Sequence, residues 1–332
     1  MSMKRRVFQK QFWPIASVFC AVTSCQKAGK EDPGKPIGQV EASDSVMGTL
    51  GRVVVWGWDR NETAKAANNA LMAMDDFGAV VTDYHPKSPL NEFCQKEALQ
   101  PHRLGPVLFR ALQEALTLAE QTDGLCDPTL GALTHLWRRA KRKNLEPTKG
   151  EVQAALKSCG RRLLVLDEEQ QTGTRLQTGL QLDLGAFAKG QGVDLAAEFL
   201  EKQGYRIYLI SLGGEVRLGD PPPKDEGWKV AVAPNGMDRA SYRILANCAV
   251  STSGSLYQSK PIQGKKRSHL LDPRTGYPVE LRQAATVIAP TATLADPLAT
   301  ATALTGQLPP IFRNRPEITA IVPTAAEKED LF

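Results

Sequence analysis

The apolar positions of this chain recur at helical spacing in several long segments. Over residues 62–80, Ala64, Ala67, Leu71 and Met74 are three or four positions apart, so they share one face of a helix. Glycine follows most of these segments within a few residues, which is typical of a helix end. Further helices are predicted over residues 104–121, 150–159, 188–203 and 295–304.

Between the helices, short apolar runs rich in β-branched residues have the composition of strands. Strands are predicted over residues 52–58, 180–185, 206–214, 228–233, 248–252, 267–271, 285–289 and 318–322. Two prolines predict a loop over residues 83–93. This mixture predicts an α+β fold, a single mixed body with antiparallel-rich sheets and flanking helices. No later segment resembles a linker, so we expect one domain over residues 45–323 and a polar tail over 324–332.

The first residues of the chain have the pattern of an export signal. Basic residues without acids come first, and residues 12–22 are then apolar and uncharged, too short for a membrane-spanning helix. The sequence VTSC at 22–25 resembles a bacterial lipobox, in which Cys25 carries lipid. We therefore predict a lipoprotein signal peptide over residues 1–24 and an anchor on the outer side of the bacterial inner membrane. Ordinary signal-peptidase cleavage and a buried N-terminal element are the alternatives.

Composition changes again after the leader. Residues 25–44 are rich in Lys, Gly, Pro, Glu and Ser, which predicts a flexible tether. The formal net charge of the whole chain is +5, and four basic residues lie in the first ten positions. The mature protein is therefore close to neutral, which argues against a nucleic-acid-binding surface.

The cysteines give no metal-binding pattern. Cys94, Cys126, Cys159 and Cys248 lie far apart and form no CxxC pair, so a zinc site is not indicated. Outside the cytoplasm these four residues are able to form disulfides, and the sequence leaves that question open.

Several segments combine turn-forming residues with polar side chains. They are MGT (47–49), DYHPKSPLNEF (83–93), DGLCDPTLGALTHLW (123–137), LDLGAFAKGQGVD (182–194), SHLLDPRTGYP (268–278) and TLADPLATA (293–301). Local sequence alone favours a plain turn or surface loop for the first three.

The segment at 182–194 carries a stronger local signal. A helix is predicted to begin there with Lys189 near its start, where free backbone N–H groups and the helix dipole favour an anion. A lysine at that end is electrostatically unfavourable unless an anion lies beside it. The pattern therefore predicts an anion near Lys189.

Asp296 and Thr300 are four residues apart and so lie on one face of the last predicted helix. Their oxygens are suitable ligands for Mg²⁺, which takes few protein ligands when phosphate completes its shell. Helix capping by Thr293 or Asp296 is the alternative, and it is favoured when this segment is considered alone.

The motifs LDLGAFAKGQGVD, SLGGEVR, HLLDPRTGYP and VIAPTATLADPLAT, in this order, resemble the ApbE-type FAD:protein FMN transferases. The resemblance extends from about residue 46 to residue 306 and implies an ApbE-like, T-fold-related body. It implies that FAD is the substrate, that Mg²⁺ assists cleavage of its pyrophosphate, and that FMN passes to a Thr or Ser of a partner protein while AMP leaves. The implied partner is a membrane electron-transfer protein.

The resemblance also implies roles for individual residues. The expected FAD contacts are Met47, Tyr84, Leu125, Cys126, Asp127, Asp183, Lys189 and Leu271. The expected magnesium site consists of the Ala186 carbonyl, Asp296 and Thr300. His269 matches the histidine expected to act in catalysis, and Asp272 and Thr275 lie in the adjoining signature. Cys126 departs from the family, because many relatives have Phe there.

A threonine hydroxyl is a poor nucleophile near neutral pH, so it needs a base, and His269 is the candidate. A hydrogen-bonded histidine at a strand end is the alternative for this residue. For the whole protein the alternatives are an FAD pyrophosphatase that yields FMN and AMP, and a non-catalytic flavin-binding lipoprotein. A solute-binding lipoprotein would need two similar lobes, which the sequence does not show.

Overall fold

The computed structural model describes residues 38–232, 241–254, 260–279 and 284–323. The expected signal peptide, Cys25, the first part of the expected tether and the polar tail lie outside these ranges. Within them, no helix combines the length and the apolar composition needed to cross a membrane.

One antiparallel sheet organises the protein. Its strands are β1 (Gly38–Val46), β2 (Thr49–Gly57), β6 (Tyr208–Leu212), β7 (Glu215–Leu218), β10 (Ala249–Gly254), β13 (Ala284–Ala289) and β14 (Thr319–Ile321). They lie in the order β1-β2-β6-β7-β10-β13-β14, and each neighbouring pair is antiparallel. The two-residue turn Gly213–Gly214 joins β6 to β7, with Leu212 opposite Glu215. Gly213 has a φ of 64°, a conformation that glycine adopts without strain.

Seven helices pack beside this sheet and beside one another in the described ranges. They are α1 (Arg60–Val81), α2 (Pro89–Gln95), α3 (Pro106–Gln121), α4 (Gly131–Lys143), α5 (Lys149–Lys157), α6 (Ala188–Lys202) and α7 (Ala292–Thr305). Asp59 caps α1 by accepting a hydrogen bond from the Glu62 N–H at 2.9 Å. Gly306 ends α7 in the left-handed conformation.

Three small antiparallel sheets complete the fold. One contains β3 (Pro101–Arg103), β4 (Leu164–Asp167) and β5 (Thr172–Arg175), with β5 in the centre. The hairpin of β8 (Trp228–Val232) and β9 (Ser241–Leu245) is the second. The third, β11 (Lys260–Ile262) with β12 (Lys265–Arg267), leads into the 268–278 segment.

The largest core lies between the main sheet and helices α1, α6 and α7. It contains Val53 and Ile210 from the sheet and Met74, Val193 and Leu298 from the three helices, all fully buried. Burying such side chains contributes roughly 1.5–3 kcal/mol each relative to exposure. This core therefore sets the position of α6 against α7, and the candidate site lies where those two helices begin. The predicted α+β fold is confirmed.

The expected tether is wrong from Gly38 onward. Residues 38–46 form β1, which pairs along its whole length with β2. β1 is an outer strand of the sheet and most of its side chains are at least partly exposed, so it carries polar residues that resemble a linker. Composition alone does not distinguish such an edge strand from a flexible linker.

Four local predictions also differ from the structure. Residues 180–185 form no strand: Leu180, Leu182 and Leu184 are buried in a helical core without a pairing partner. Residues 267–271 contribute only the end of β12 and a single bridge from Leu271 to Pro278. The predicted loop at 83–93 contains the start of α2, and α4 forms where only a turn was expected.

The disulfide question has an answer within the described residues. Cys94, Cys126, Cys159 and Cys248 all have free thiols. Burial raises the pKa of the Cys94 and Cys159 thiols to about 11. Protonated thiols of this kind are poor nucleophiles, so these two residues are structural.

Candidate functional site

The partly exposed Lys189 and the buried carboxylates of Glu215 and Asp296 form a charged cluster where three elements meet. Lys189 lies in the first turn of α6, Glu215 begins β7, and Asp296 lies in the first part of α7. The Lys189 Nζ contacts the Glu215 carboxylate and lies 3.8 Å from the Asp296 Oδ2. Asp296 Oδ2 also accepts a hydrogen bond from the Gly190 N–H at 3.0 Å.

Glycine is required at position 190 for this arrangement. A Cβ there would lie 2.3 Å from the Ala292 carbonyl oxygen, closer than real Cβ contacts allow. The absence of a side chain lets the beginnings of α6 and α7 approach each other. That approach brings the Asp296 carboxylate to the N-terminal end of α6.

The cluster explains the local prediction of an anion beside Lys189. The anions are the carboxylates of Glu215 and Asp296, each of which is almost fully buried. Burial by itself lowers the pKa of Lys189, but the Asp296 and Glu215 charges outweigh it and raise the pKa. Burial and the Glu215 charge raise the pKa of Asp296, and Lys189 opposes that shift. Lys189 is therefore charged at neutral pH.

Asp296 and Thr300 are buried one turn apart on α7, as their spacing predicted. The Thr300 hydroxyl donates to the Ser253 Oγ at 3.1 Å, which leaves the Thr300 oxygen able to bind a cation. Within the described residues, no three or more His, Cys, Asp or Glu side chains are grouped to hold a metal. Asp296 and Thr300 together offer a cation one carboxylate and one hydroxyl oxygen, which are ligand types that Mg²⁺ accepts.

The capping alternative for Asp296 and Thr293 is wrong. The N-cap of α7 is Thr291, whose hydroxyl accepts from the Leu294 N–H at 3.3 Å. Asp194 of α6 accepts hydrogen bonds from the N–H groups of Ala292 at 3.0 Å and of Thr293 at 2.7 Å. Because other residues cap α7, the Asp296 carboxylate points to the cluster instead.

A second polar group surrounds Arg138 on α4. The Arg138 guanidinium contacts the Asp83 carboxylate and donates to Asp183 Oδ2 at 2.8 Å. It also lies 4.3 Å from the centre of the exposed Tyr84 ring, within cation–π range. His135 Nε2 lies 3.0 Å from Asp83 Oδ2. Arg138 therefore connects two of the expected FAD contacts, Tyr84 and Asp183.

The charges in this second group are paired. Burial alone raises the pKa of Asp83, but the hydrogen bond from His135 and the Arg138 charge together lower it. Asp183 uses its other oxygen to accept from the Gly185 N–H at 2.7 Å, which shapes the turn before α6. Ala186 lies in the same turn and is partly buried.

The segment at 268–278 is a tight turn anchored to α4. Asp272 accepts hydrogen bonds from the Arg274 N–H, Nε and Nη2, each at 2.9 Å. Trp137 donates from its Nε1 to the Gly276 carbonyl at 2.8 Å, and Leu271 is buried in the core beneath. The contacts of Asp272 are those of a turn-forming residue, and its catalytic role stays a prediction.

His269 precedes this turn and is exposed to solvent. Surrounding protein atoms, with the charges of Lys141 and Lys189, lower the pKa of its imidazole to about 4. Solvent screens part of this effect at an exposed ring. The imidazole is neutral at pH 7, which is the state that a general base requires.

Three other expected FAD contacts, Leu125, Cys126 and Asp127, are consecutive in the chain just before α4. Asp127 is used by its own turn: it accepts from the Thr129 N–H at 2.8 Å and from the Arg161 N–H at 2.9 Å. Leu125 is partly buried beside it. Cys126 is buried, and its thiol lies 3.1 Å from the Pro297 carbonyl of α7.

Met47 belongs with Cys126, because both contact the helices that form the candidate site. Its side chain packs at Gly78 of α1 and Gly192 of α6. The structure thus places Met47, Cys126, Lys189, Asp296 and Thr300 around the start of α6 and α7. Tyr84, Asp183, Leu271 and His269 lie on or beside the segments packed against α4.

Sequence reasoning missed Arg138 and Glu215. Arg138 meets its partners through α4, a helix that was not predicted, across more than 40 residues of chain. Glu215 stands in the noted motif SLGGEVR, where a carboxylate after two glycines at a strand start was the available signal. No local pattern indicated that Glu215 would be buried against Lys189.

Known proteins match this chain over most of its length. The ApbE family model matches residues 47–322. The FAD:protein FMN transferase of Salmonella typhimurium is 31% identical over 290 residues, which cover 85% of this chain and 82% of that protein. That of Chlamydia trachomatis is 34% identical over 238 residues, which cover 68% and 72%.

Solved structures agree with the sequence matches. The flavin transferase ApbE from Vibrio cholerae has a TM-score of 0.73 at 26% identity, and the match covers 86% of this chain and 93% of that one. The ApbE protein from Thermotoga maritima has a TM-score of 0.77 at 26% identity, over 86% and 94%. With residues 47–322 matched by the family model and the fold matched by solved ApbE structures, the chain belongs to the ApbE family.

Proposed function

We propose that this protein is an FAD:protein FMN transferase. Its relatives with that name match it over most of their own length, so the domain that carries their activity is present here. The observation that carries the proposal is the pairing of Lys189 with the buried Asp296 at the beginnings of α6 and α7, with Thr300 one turn further. Such a cluster suits a substrate that brings both phosphate and a cation.

The residues present fit the expected magnesium site. Asp296 offers a buried carboxylate with one oxygen held by Gly190, and Thr300 offers a hydroxyl oxygen. We assign Asp296, Thr300 and the Ala186 carbonyl as the residues that would hold Mg²⁺. When bound, Mg²⁺ would neutralise phosphate charge and polarise the bond that breaks.

The FAD molecule is assigned to the surface between the two polar groups. The proposed contacts are Met47, Tyr84, Leu125, Cys126, Asp127, Asp183, Lys189 and Leu271. Tyr84 supports this assignment because its ring is exposed and thus able to stack on a flavin or adenine. Lys189, whose ammonium lies beside the proposed metal ligand Asp296, would attract the pyrophosphate.

His269 is proposed as the base. It would accept the proton of the acceptor hydroxyl as that oxygen bonds to the FMN phosphorus. The bond from this phosphorus to the bridging oxygen breaks, and its electron pair leaves with AMP. A neutral imidazole supports this role, and Asp272 would help by holding the turn that follows His269.

The decisive experiment mixes the purified protein, FAD, Mg²⁺ and a peptide that carries a candidate acceptor threonine. Mass spectrometry should find an FMN adduct on the peptide and free AMP, and flavin fluorescence should remain with the acceptor after denaturation. Free FMN and AMP without an adduct would indicate a pyrophosphatase instead. FAD binding without AMP release would indicate a non-catalytic flavin-binding protein.

We further propose that the acceptor is a membrane electron-transfer protein and that a lipid on Cys25 holds the enzyme beside it. Support comes from the basic and apolar leader and from the lipobox-like VTSC sequence. Cys25→Ala should abolish metabolic labelling with palmitate and release the protein from the membrane fraction. Labelling that persists in this variant would contradict the anchor.

A further inference from the structure

Glu215 is a buried carboxylate that the expected site does not use. It begins β7 directly after the Gly213–Gly214 turn and pairs with Leu212 on one side and Ser251 on the other. Its side chain is only 2% exposed. One carboxylate oxygen contacts Lys189, and the other has no hydrogen-bond partner within the described residues.

Burying such a group is costly unless its charge and both oxygens are satisfied. Here the single ammonium of Lys189 serves two buried carboxylates, Glu215 and Asp296. The cluster thus contains two acidic groups for one ammonium. An excess of buried acidic groups over basic ones, with an unsatisfied Glu215 oxygen, favours the addition of a cation.

Lys189 stands closer to Glu215 than to Asp296. Its Nζ contacts Glu215, whereas its distance of 3.8 Å from Asp296 Oδ2 exceeds hydrogen-bond range. The contact with Glu215 is thus the shorter of the two ion pairs that Lys189 makes. Without Glu215, the nearest carboxylate for Lys189 would be Asp296, and the ammonium would compete there with a metal ion.

We propose that Glu215 is a positioning residue that restrains Lys189 so that the Asp296 carboxylate remains available to a divalent cation. This inference rests on the proposed magnesium site and adds the residue that controls access to it. Glu215 acts through Lys189 and does not itself touch substrate. Groups that orient metal ligands in this way typically change metal affinity by roughly 10–100-fold when mutated.

The test measures Mn²⁺ binding to the purified full-length protein by electron paramagnetic resonance, which does not depend on turnover. Glu215→Gln keeps the shape of the side chain and removes its charge. It should weaken Mn²⁺ binding by roughly 10–100-fold and raise the Mg²⁺ concentration needed for half-maximal transfer. Unchanged Mn²⁺ affinity would overturn the proposal.

The double variant Glu215→Gln/Lys189→Met separates the proposed mechanism from direct metal binding by Glu215. It removes the competing ammonium, so it should recover most of the lost Mn²⁺ affinity. An equally weak double variant would show that Glu215 acts without Lys189, which also overturns the proposal. Lys189→Met alone should bind Mn²⁺ at least as tightly as the wild type, and weaker binding would contradict the proposal even if Glu215→Gln fails to fold.

Glu198→Gln provides a matched control. Like Glu215→Gln, it replaces one glutamate carboxylate by a neutral amide. Glu198 lies on α6, however, and its ion pair with Arg110 is more exposed. Its Mn²⁺ affinity should equal that of the wild type, and a similar loss in this control would mean that general charge, not position, matters. If the wild type transfers FMN with Mg²⁺ while Glu215→Gln keeps its affinity, only this inference fails and the proposed function stands.

Discussion

The two polar groups of the candidate site differ in how their charges are balanced. The group around Asp296 is buried between helix ends and contains two carboxylates for one ammonium. The group around Arg138 includes the exposed Tyr84 ring, and its guanidinium bridges two carboxylates with His135 beside them. In the buried group Lys189 hydrogen-bonds only Glu215, and one Glu215 oxygen has no partner in the described residues, whereas Arg138 hydrogen-bonds both of its carboxylates. The difference suggests that the first performs chemistry and the second positions the substrate.

The largest effect should follow from changing the buried group. Asp296→Ala removes the carboxylate of the proposed magnesium site, and metal contributes several kcal/mol to such reactions. Transfer should fall by at least roughly a hundredfold. The measurement is the rate of FMN transfer across a Mg²⁺ titration. An unchanged rate and an unchanged magnesium dependence would contradict the metal assignment.

His269→Ala should come next, with a loss of roughly 10²-fold or more, because base catalysis contributes about 10²–10⁴-fold. The pH dependence of kcat/KM provides a second test of this role. Since the pKa of His269 is lowered to about 4, the imidazole gains its proton only well below neutrality. Its protonation should therefore not limit kcat/KM between pH 6 and 8. A variant with near wild-type rate would contradict the base role.

Arg138→Met tests the second group. The loss of its hydrogen bonds to Asp83 and Asp183 should free the Tyr84 loop and weaken FAD binding by roughly tenfold, the usual scale for a charged hydrogen bond. The effect should appear mainly in the KM for FAD, with kcat little changed. Arg139→Met is the matched control, because Arg139 pairs with the exposed Glu151. This variant should leave the KM for FAD unaffected.

The same ion pairs predict a smaller, pH-dependent effect on stability. The folded-state pKa of Asp83 is lowered, so its contribution is present above the unfolded pKa and is lost as the pH falls through the folded pKa. Partial exposure of Arg138 limits this contribution to about 1 kcal/mol. Urea unfolding should show a stability gap between wild type and Arg138→Met at pH 7 that narrows at pH 3. An equal gap at both values would contradict the assignment.

Asp272→Asn should have the smallest effect of the series. Arg274 is exposed, so the Asp272–Arg274 pair contributes no more than about 1 kcal/mol to stability. If Asp272 acts by holding the turn, transfer should fall only a few-fold. A loss as large as that of His269→Ala would indicate that Asp272 takes part in the chemistry itself.

Sequence periodicity predicted the parts of the fold that bury a regular apolar face. Helices α1, α3, α6 and α7 and strands β2 and β13 appear where alternation or helical spacing was clear. The prediction from periodicity failed where apolar residues are buried without forming a strand, and where a strand carries mostly polar residues. The leucines of 180–185 are buried without a strand, and the polar edge strand β1 resembled a tether.

The residues of the candidate site also differ in whether the sequence predicted their position. The Asp296–Thr300 spacing placed both residues on one face of α7, since local helix geometry determines it. Glu215 and Arg138 depend on how distant elements pack. The anion predicted beside Lys189 was real, but only the three-dimensional structure showed that it belongs to the protein's own carboxylates.

We propose that this chain transfers FMN from FAD to a protein hydroxyl with Mg²⁺ at the Asp296 cluster. The most direct measurement is mass spectrometry of an acceptor incubated with FAD, Mg²⁺ and either wild type or Asp296→Ala, with AMP counted alongside. We predict one AMP released for each FMN attached by the wild type, and neither product above background with the variant. AMP without attached FMN, or equal transfer by the two proteins, would contradict the account.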